Sequence, residues 1–324
     1  ATTTTAAAAS TGTGGFTADS VAMRGALFRS AERYVNSMNR RRLGFWLELN
    51  SFADWTREEK AANLNGRLHT PEGFTVPATR THERLFGPAE AGSQGPVKEL
   101  PGGIDWRDLG AVTPPKDQGA CGSCWSFGAT GTTEGQVFLA TGVLTALSQQ
   151  NLMDCSWSEG NDACDGGLDF RGYEWMLKHG GGLATEASYP YLNADGRPQP
   201  CLHRFRVLAT TAATNTPTLQ HSNTATLHTR YCRFDSSAVG AVITGYANIT
   251  DGVDGLNDAL AGVGPLSVSI DASPNSFYFY GGGLYADPDC KSGMGDLDHT
   301  GESVRSMGVR SWVIGFWELQ KVTS

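Results

Sequence analysis

The stretch Gln118-Gly119-Ala120-Cys121-Gly122-Ser123-Cys124-Trp125 decides how the rest of this chain is read. Small residues precede Cys124, and the residues after it suit a helix that starts at Ser123-Cys124 and runs through Phe138. A thiol attacks as its thiolate, and a free cysteine with a pKa near ~8.5 is mostly protonated at neutral pH. At the start of a helix it meets unpaired backbone N–H groups and the positive end of the helix dipole, which lower that pKa. Gln118, six residues upstream, can offer its side-chain amide to a developing oxyanion, beside the backbone N–H of Cys124. A histidine would complete the ion pair and later protonate a leaving amine. Two other uses of Cys-x-x-Cys fit less well. Zinc needs about four ligands in paired short motifs, and the chain has no second Cys-x-x-Cys and no His-x-x-x-His. A redox pair wants its Trp before the motif, whereas Trp125 follows it.

Working outward, 324 residues and an apolar share of 40% suffice for two domains with their own cores. No apolar run approaches the ~18 residues of a membrane span. A net charge of −8 argues against nucleic acid or an anionic membrane as partner. The seven cysteines all lie between 121 and 290, a disulfide-bearing pattern in which the odd count leaves at least one thiol unpaired. Asn248-Ile249-Thr250 is the only glycosylation sequon. The Thr/Ala/Gly tract Ala1 to Ser20 has no basic start and no apolar core, so it is not a signal peptide, and the true N-terminus is expected to lie upstream.

Composition divides the chain further. In residues 16–65, Ser20, Arg24, Leu27, Phe28, Ala31, Val35 and Asn39 fall at helical spacing. Phe45 to Leu49 alternates like a strand, and Thr56-Arg57-Glu58-Glu59 marks a helix start. Residues 66–103 read as a linker. In the next region, about 104–197, Gly128, Gly131 and Gly135 inside the helix after Cys124 imply close packing. Residues 198–231, rich in Thr and His and without an acidic residue, read as an inserted loop. From about 232 the segments Ala241–Thr244, Leu266–Ile270 and Phe277–Tyr280 read as strands. A helical half followed by a β-rich half is an α+β order.

Several short motifs surround the opening stretch, in order: Asp105-Trp106-Arg107, Val112-Thr113-Pro114, Lys116-Asp117-Gln118, Gln150-Asn151-Leu152, Asp154-Cys155, Cys164-Asp165-Gly166-Gly167 and Tyr189-Pro190-Tyr191. With Cys121-Gly122-Ser123-Cys124-Trp125 they resemble the papain-like cysteine proteases of the cathepsin-L type. The pattern at 20–39, and Asn50, Phe52, Ala53 and Asp54, resemble the inhibitory propeptide of that family, although Ser20, Ala31 and Glu48 replace its usual Glu, Asn and Gly. The resemblance implies an α+β, papain-like two-domain fold, with a helical left domain and a β-barrel-like right domain, the latter incomplete, preceded by a mainly helical propeptide. Residues 1–15 would be a leader, 16–99 inhibitory propeptide and linker, and 100–324 the peptidase domain, with release by cleavage near 98–103. It implies that Cys124 is the nucleophile, Gln118 part of the oxyanion hole, and Cys121–Cys164 and Cys155–Cys232 disulfides. Gly166 and Gly167 would line the cleft and bond substrate backbone. Asp169 and Ser269 would border the pocket for the residue two before the cut, making it more polar than usual and open to basic side chains. No cofactor or metal is implied. The expected partners are protein or peptide substrates and the chain's own propeptide, for a monomer of a lysosomal, vacuolar or extracellular compartment with no nucleic-acid or membrane partner.

The resemblance also implies a histidine after a Gly-rich strand, and Asp298-His299 follows Gly281-Gly282-Gly283-Leu284-Tyr285. Cys124 and His299 are 175 residues apart, and 141 apart without the stretch 198–231, against the family's ~130–150. Beyond His299 the pattern departs. The family carries an apolar strand and an Asn that orients the histidine, whereas this chain has Gly301-Glu302-Ser303 and no Asn after Asn275. Residues 198–231 and 300–324 are therefore atypical, and Thr300-Gly301-Glu302-Ser303 is what a retained splice-donor sequence would encode. Two functions are left to separate: an endopeptidase zymogen, or an inactive homologue that binds or inhibits. Cys290, whose family partner lies in the departed tail, is expected to be free.

Overall fold

A computed structural model of the chain describes residues 18–71, 74–78, 80–81, 103–180, 182–192, 232–249, 252–293, 295–306 and 312–313. The leader 1–15, the stretch 198–231 and most of the expected cleavage region lie outside the described residues. The N-terminal segment holds α1 (Ala18–Arg40), β1 (Phe45–Leu47), α2 (Arg57–Leu64) and β2 (Arg80–Thr81). Next come β3 (Ile104–Asp105), α3 (Cys124–Thr141), α4 (Gln149–Cys155), α5 (Asp169–Lys178) and β4 (Gly182–Ala184). The last part holds β5 (Val239–Val242), β6 (Ala247–Asn248), α6 (Gly252–Gly262), β7 (Leu266–Ile270), α7 (Asn275–Tyr278), β8 (Tyr280–Gly283), β9 (His299–Ser303), β10 (Arg305–Ser306) and β11 (Trp312–Val313).

The helical spacing of residues 20–39 becomes α1, and its apolar stripe buries Ala31 and Val35 against Phe45, Leu47 and Phe279. Asn39 fixes the turn back into β1: its side chain both donates to and accepts from the Leu47 backbone, each at 2.8 Å. α2 starts on a capping box, with Thr56 Oγ1 accepting from the Glu59 amide and the Glu59 carboxylate accepting from the Thr56 amide. β1 then pairs antiparallel with β8, so the N-terminal segment is sewn onto the β-rich half.

α3 is the spine of the molecule. Its glycines bring neighbours within side-chain range of the helix backbone: a Cβ at Gly128 would meet Ser267 Oγ at 2.6 Å, and one at Gly135 would meet Pro265 Cγ at 2.7 Å. On its other side Trp125 and Ala129 join Leu152, Trp175, Met176 and Leu183 in the main core. Near its middle, buried Glu134 accepts from Lys116 Nζ at 2.8 Å, Thr113 Oγ1 at 2.6 Å and the Leu147 amide at 2.7 Å, the pairing that a charge in a core requires. Disulfides join Cys121 to Cys164 and Cys155 to Cys232.

Two sequence expectations change. Phe277 to Phe279 is not strand: Pro274 precedes a one-turn helix, α7, which points Phe277, Tyr278 and Phe279 into buried positions. A short run of consecutive apolar residues carries no period that separates the two readings. The α+β order holds, and the right domain's strands, expected to make an incomplete barrel, form small two- and three-stranded sheets among the described residues. Finally, the atypical residues after His299 do form a strand, β9, which pairs with β7 in unbroken antiparallel register, His299 opposite Ile270 and Ser303 opposite Leu266. The fit is poor in chemistry: Thr300 Oγ1, Glu302 Oε1 and Ser303 Oγ are buried and have no hydrogen-bond partner among the described residues.

Candidate active site

Cys124 is the first residue of α3 and is 1% exposed. The N-cap, Ser123, makes no side-chain cap bond to the helix; its hydroxyl is paired with Tyr191 Oη at 2.7 Å instead. Gln118 is held by its backbone carbonyl, which accepts from Tyr191 Oη at 2.7 Å. Its Nε2 donates to the Cys121 carbonyl at 2.7 Å and to the Leu64 carbonyl at 3.1 Å. His299, the first residue of β9, places Nδ1 3.3 Å from that same Leu64 oxygen. One carbonyl of the N-terminal segment thus joins the two residues expected to serve the thiol.

That carbonyl begins an extended segment laid against Gly167. Gly167 N donates to Gly66 O at 2.8 Å and Leu68 N to Gly167 O at 3.0 Å, a parallel bridge in which Arg67 stands opposite Gly167. Gly167 cannot carry a side chain, because a Cβ would lie 2.6 Å from the Trp125 ring. Gly166 adopts a φ of 116°, which few other residues reach. Arg67 N donates to Asp298 O at 3.0 Å, and Asn65 Nδ2 donates to Asp298 Oδ2 at 2.6 Å. Ser269 accepts from Arg67 Nε at 2.8 Å, while Asp169 Oδ2 accepts from Ser267 Oγ at 2.6 Å.

The electrostatics of this plugged cleft follow from its dryness. Burial pushes the Cys124 thiol up to about 11, outweighing backbone N–H groups of Thr300, Gly66 and Trp125 that favour the thiolate. Burial pushes the His299 imidazole down, against the Leu64 carbonyl and the Asp298 charge. Both shifts favour the neutral thiol and neutral imidazole over the ion pair. Residues 64–68 lie against the thiol and imidazole in this arrangement, with Gly66 N among the groups that favour the thiolate and Leu64 O facing His299.

Sequence reasoning named Asp298 only as the residue before His299, and did not single out Arg67 or the Leu64 carbonyl. The signal for the last was Asn65-Gly66 directly after a capped helix, a pair suited to a tight backbone approach.

Residues 100–313 match the papain family cysteine protease profile. The chain belongs to the papain family of cysteine proteases. Within it, a cathepsin L-like peptidase of Aedes aegypti is 40% identical over 256 residues, covering 78% of this chain and 62% of that protein. Procathepsin L of Rattus norvegicus is 38% identical over 259 residues, covering 79% and 61%. The chain thus spans less than two thirds of the length of these relatives. The solved structure of digestive procathepsin L 3 from the larval midgut of Tenebrio molitor superposes with a TM-score of 0.63 at 30% identity, covering 88% of this chain and 76% of that one.

Proposed function

We propose that the chain is the zymogen of a cysteine endopeptidase in which residues 16–99 are the inhibitory propeptide and linker and residues from 100 onward the peptidase domain. The observation that carries this reading is the Leu64 carbonyl, held by Gln118 Nε2 and facing His299 Nδ1 in front of a buried Cys124. When the strand 64–68 leaves, water and substrate enter, the burial that opposes charge is relieved, and the helix N-terminus favours the Cys124 thiolate. The thiolate attacks the peptide carbonyl carbon, and the oxygen becomes an oxyanion that accepts from Gln118 Nε2 and the Cys124 amide. His299 gives its proton to the leaving amine, then takes one from the water that hydrolyses the thioester. Gly166 and Gly167 hold the substrate backbone in place of residues 66–68. Substrates would be proteins or peptides, met as a monomer in an oxidising lysosomal, vacuolar or extracellular compartment that allows the two disulfides to persist.

The test is acid processing of the full chain. The wild-type chain is expected to shorten itself and then hydrolyse dipeptidyl fluorogenic amides, whereas Cys124→Ala stays whole. Gln118→Ala is expected to process but to lose about 100-fold in kcat, the usual loss of one oxyanion donor. Equal processing by Cys124→Ala, or no peptide hydrolysis by the wild type, contradicts the reading.

A further inference from the structure

The cleft contains one side chain whose chemistry reports on the pocket around it. Arg67 is half-buried, and its guanidinium group donates only to protein oxygens. Nε reaches Ser269 Oγ at 2.8 Å, Nη1 reaches the Leu297 carbonyl at 3.2 Å, and the remaining bonds go to its own strand, at the Leu68 carbonyl and Thr70 Oγ1. Ser267 and Ser269 lie two apart on β7 and so share one face. The first of them donates to Asp169 Oδ2 and the second accepts from Arg67, which sets the Asp169 carboxylate beside the guanidinium site. Asp298 adds a second carboxylate, with Oδ1 fixed by the Ala272 amide and Oδ2 by Asn65. Burial is the largest influence on the Arg67 charge and opposes it, and of the two carboxylates that favour it Asp169 acts more strongly than Asp298.

The pocket groups that bond Arg67, Ser269 Oγ and the Leu297 carbonyl, both act as acceptors, and the Asp169 and Asp298 carboxylates add negative charge nearby. A guanidinium or ammonium group only donates and is always or nearly always charged, so it satisfies such a lining in full. An aromatic or aliphatic side chain would take from Ser269 Oγ the donor that Arg67 gives it and would leave the Asp169 charge without a counter-charge, which is costly in a desolvated pocket. Discrimination built on buried polar groups is strong for the same reason.

We propose that this pocket selects an arginine or lysine side chain in the substrate, with Asp169 the specificity-determining residue and Arg67 its occupant until the propeptide leaves. This rests on the peptidase reading for its substrate, but the pocket itself is testable without turnover. In the full-length chain carrying Cys124→Ala, hydrogen exchange at the Leu68 amide reads the opening of the strand. Arg67→Met and Asp169→Leu are each expected to speed that exchange about tenfold, and the double variant to be no faster than either single one. In the acid-processed wild type, a dipeptidyl fluorogenic substrate with Arg two residues before the cut is expected to exceed its Phe counterpart at least about tenfold in kcat/KM, with the order reversed in Asp169→Leu. Coupled exchange without hydrolysis of either substrate would leave the pocket assigned to a cation and the peptidase reading at fault. Additive exchange effects, or a Phe preference in the wild type, overturn the proposal.

Discussion

Gly66→Ala is expected to open the cleft of the intact chain. A Cβ at this position would lie 1.8 Å from the Gly122 carbonyl oxygen and 2.1 Å from its carbon. Neither partner can yield, because Gly122 is backbone between Cys121 and the start of α3, and its amide is tied to the Cys164 carbonyl at 3.0 Å. Backbone overlap of this kind costs upward of about 3 kcal/mol, so alkylation of Cys124 by iodoacetamide should rise about 100-fold. Gly25→Ala is the matched control. Its Cβ would meet only the movable end of Arg29, at 3.3 Å, and should leave Cys124 protected. Equal protection in Gly66→Ala and the wild type would mean that residues 64–68 do not gate the thiol.

The second large effect is on stability against pH, and it originates in β9. Burial, reinforced by the charge of Glu134 and opposed by Lys116, pushes the Glu302 carboxyl from an ordinary 4.5 up to about 8. The folded chain therefore keeps a proton on Glu302 that the unfolded chain releases as pH rises through about 4.5. The associated stability is complete below that pH, declines as pH rises, and is gone above about 8. The total is on the order of 4 kcal/mol. Glu302→Gln should flatten this decline and leave the chain more stable than its parent at pH 8. Urea denaturation of both chains at pH 4, 6 and 8, in a Cys124→Ala background that prevents self-processing, measures it. Parallel profiles for the two chains would show that Glu302 is not held neutral.

The same strand shows where the sequence could be read and where it could not. The nucleophile's helix was legible because a Cys between small residues, followed by glycines at packing intervals, is a local pattern whose consequences are local. α1 and the start of α2 were legible for the same reason. The helical turn at Phe277 was not, since aromatic residues in a row satisfy a buried strand and a buried helix alike. The pairing of β9 was not either. Thr300, Glu302 and Ser303 have the alternation of neither a buried nor a half-exposed strand, and the ladder with β7 holds them in place despite their side chains. Arg67 needed the structure most, because its role depends on Ser269 and Asp169, about 200 and 100 residues away in the chain.

On the proposed reading Cys124 and His299 become an ion pair once the N-terminal segment leaves. The chain supplies its own reference, because Cys290 is a free and exposed thiol outside the cleft. In the acid-processed chain, the rate of alkylation at each of the two cysteines, resolved by mass spectrometry from about pH 4 to 9, compares them directly. Cys124 is expected to react well below pH 7, His299→Ala to remove this reactivity, and Cys290 to react appreciably only above about pH 8. A Cys124 profile that coincides with that of Cys290 would contradict it.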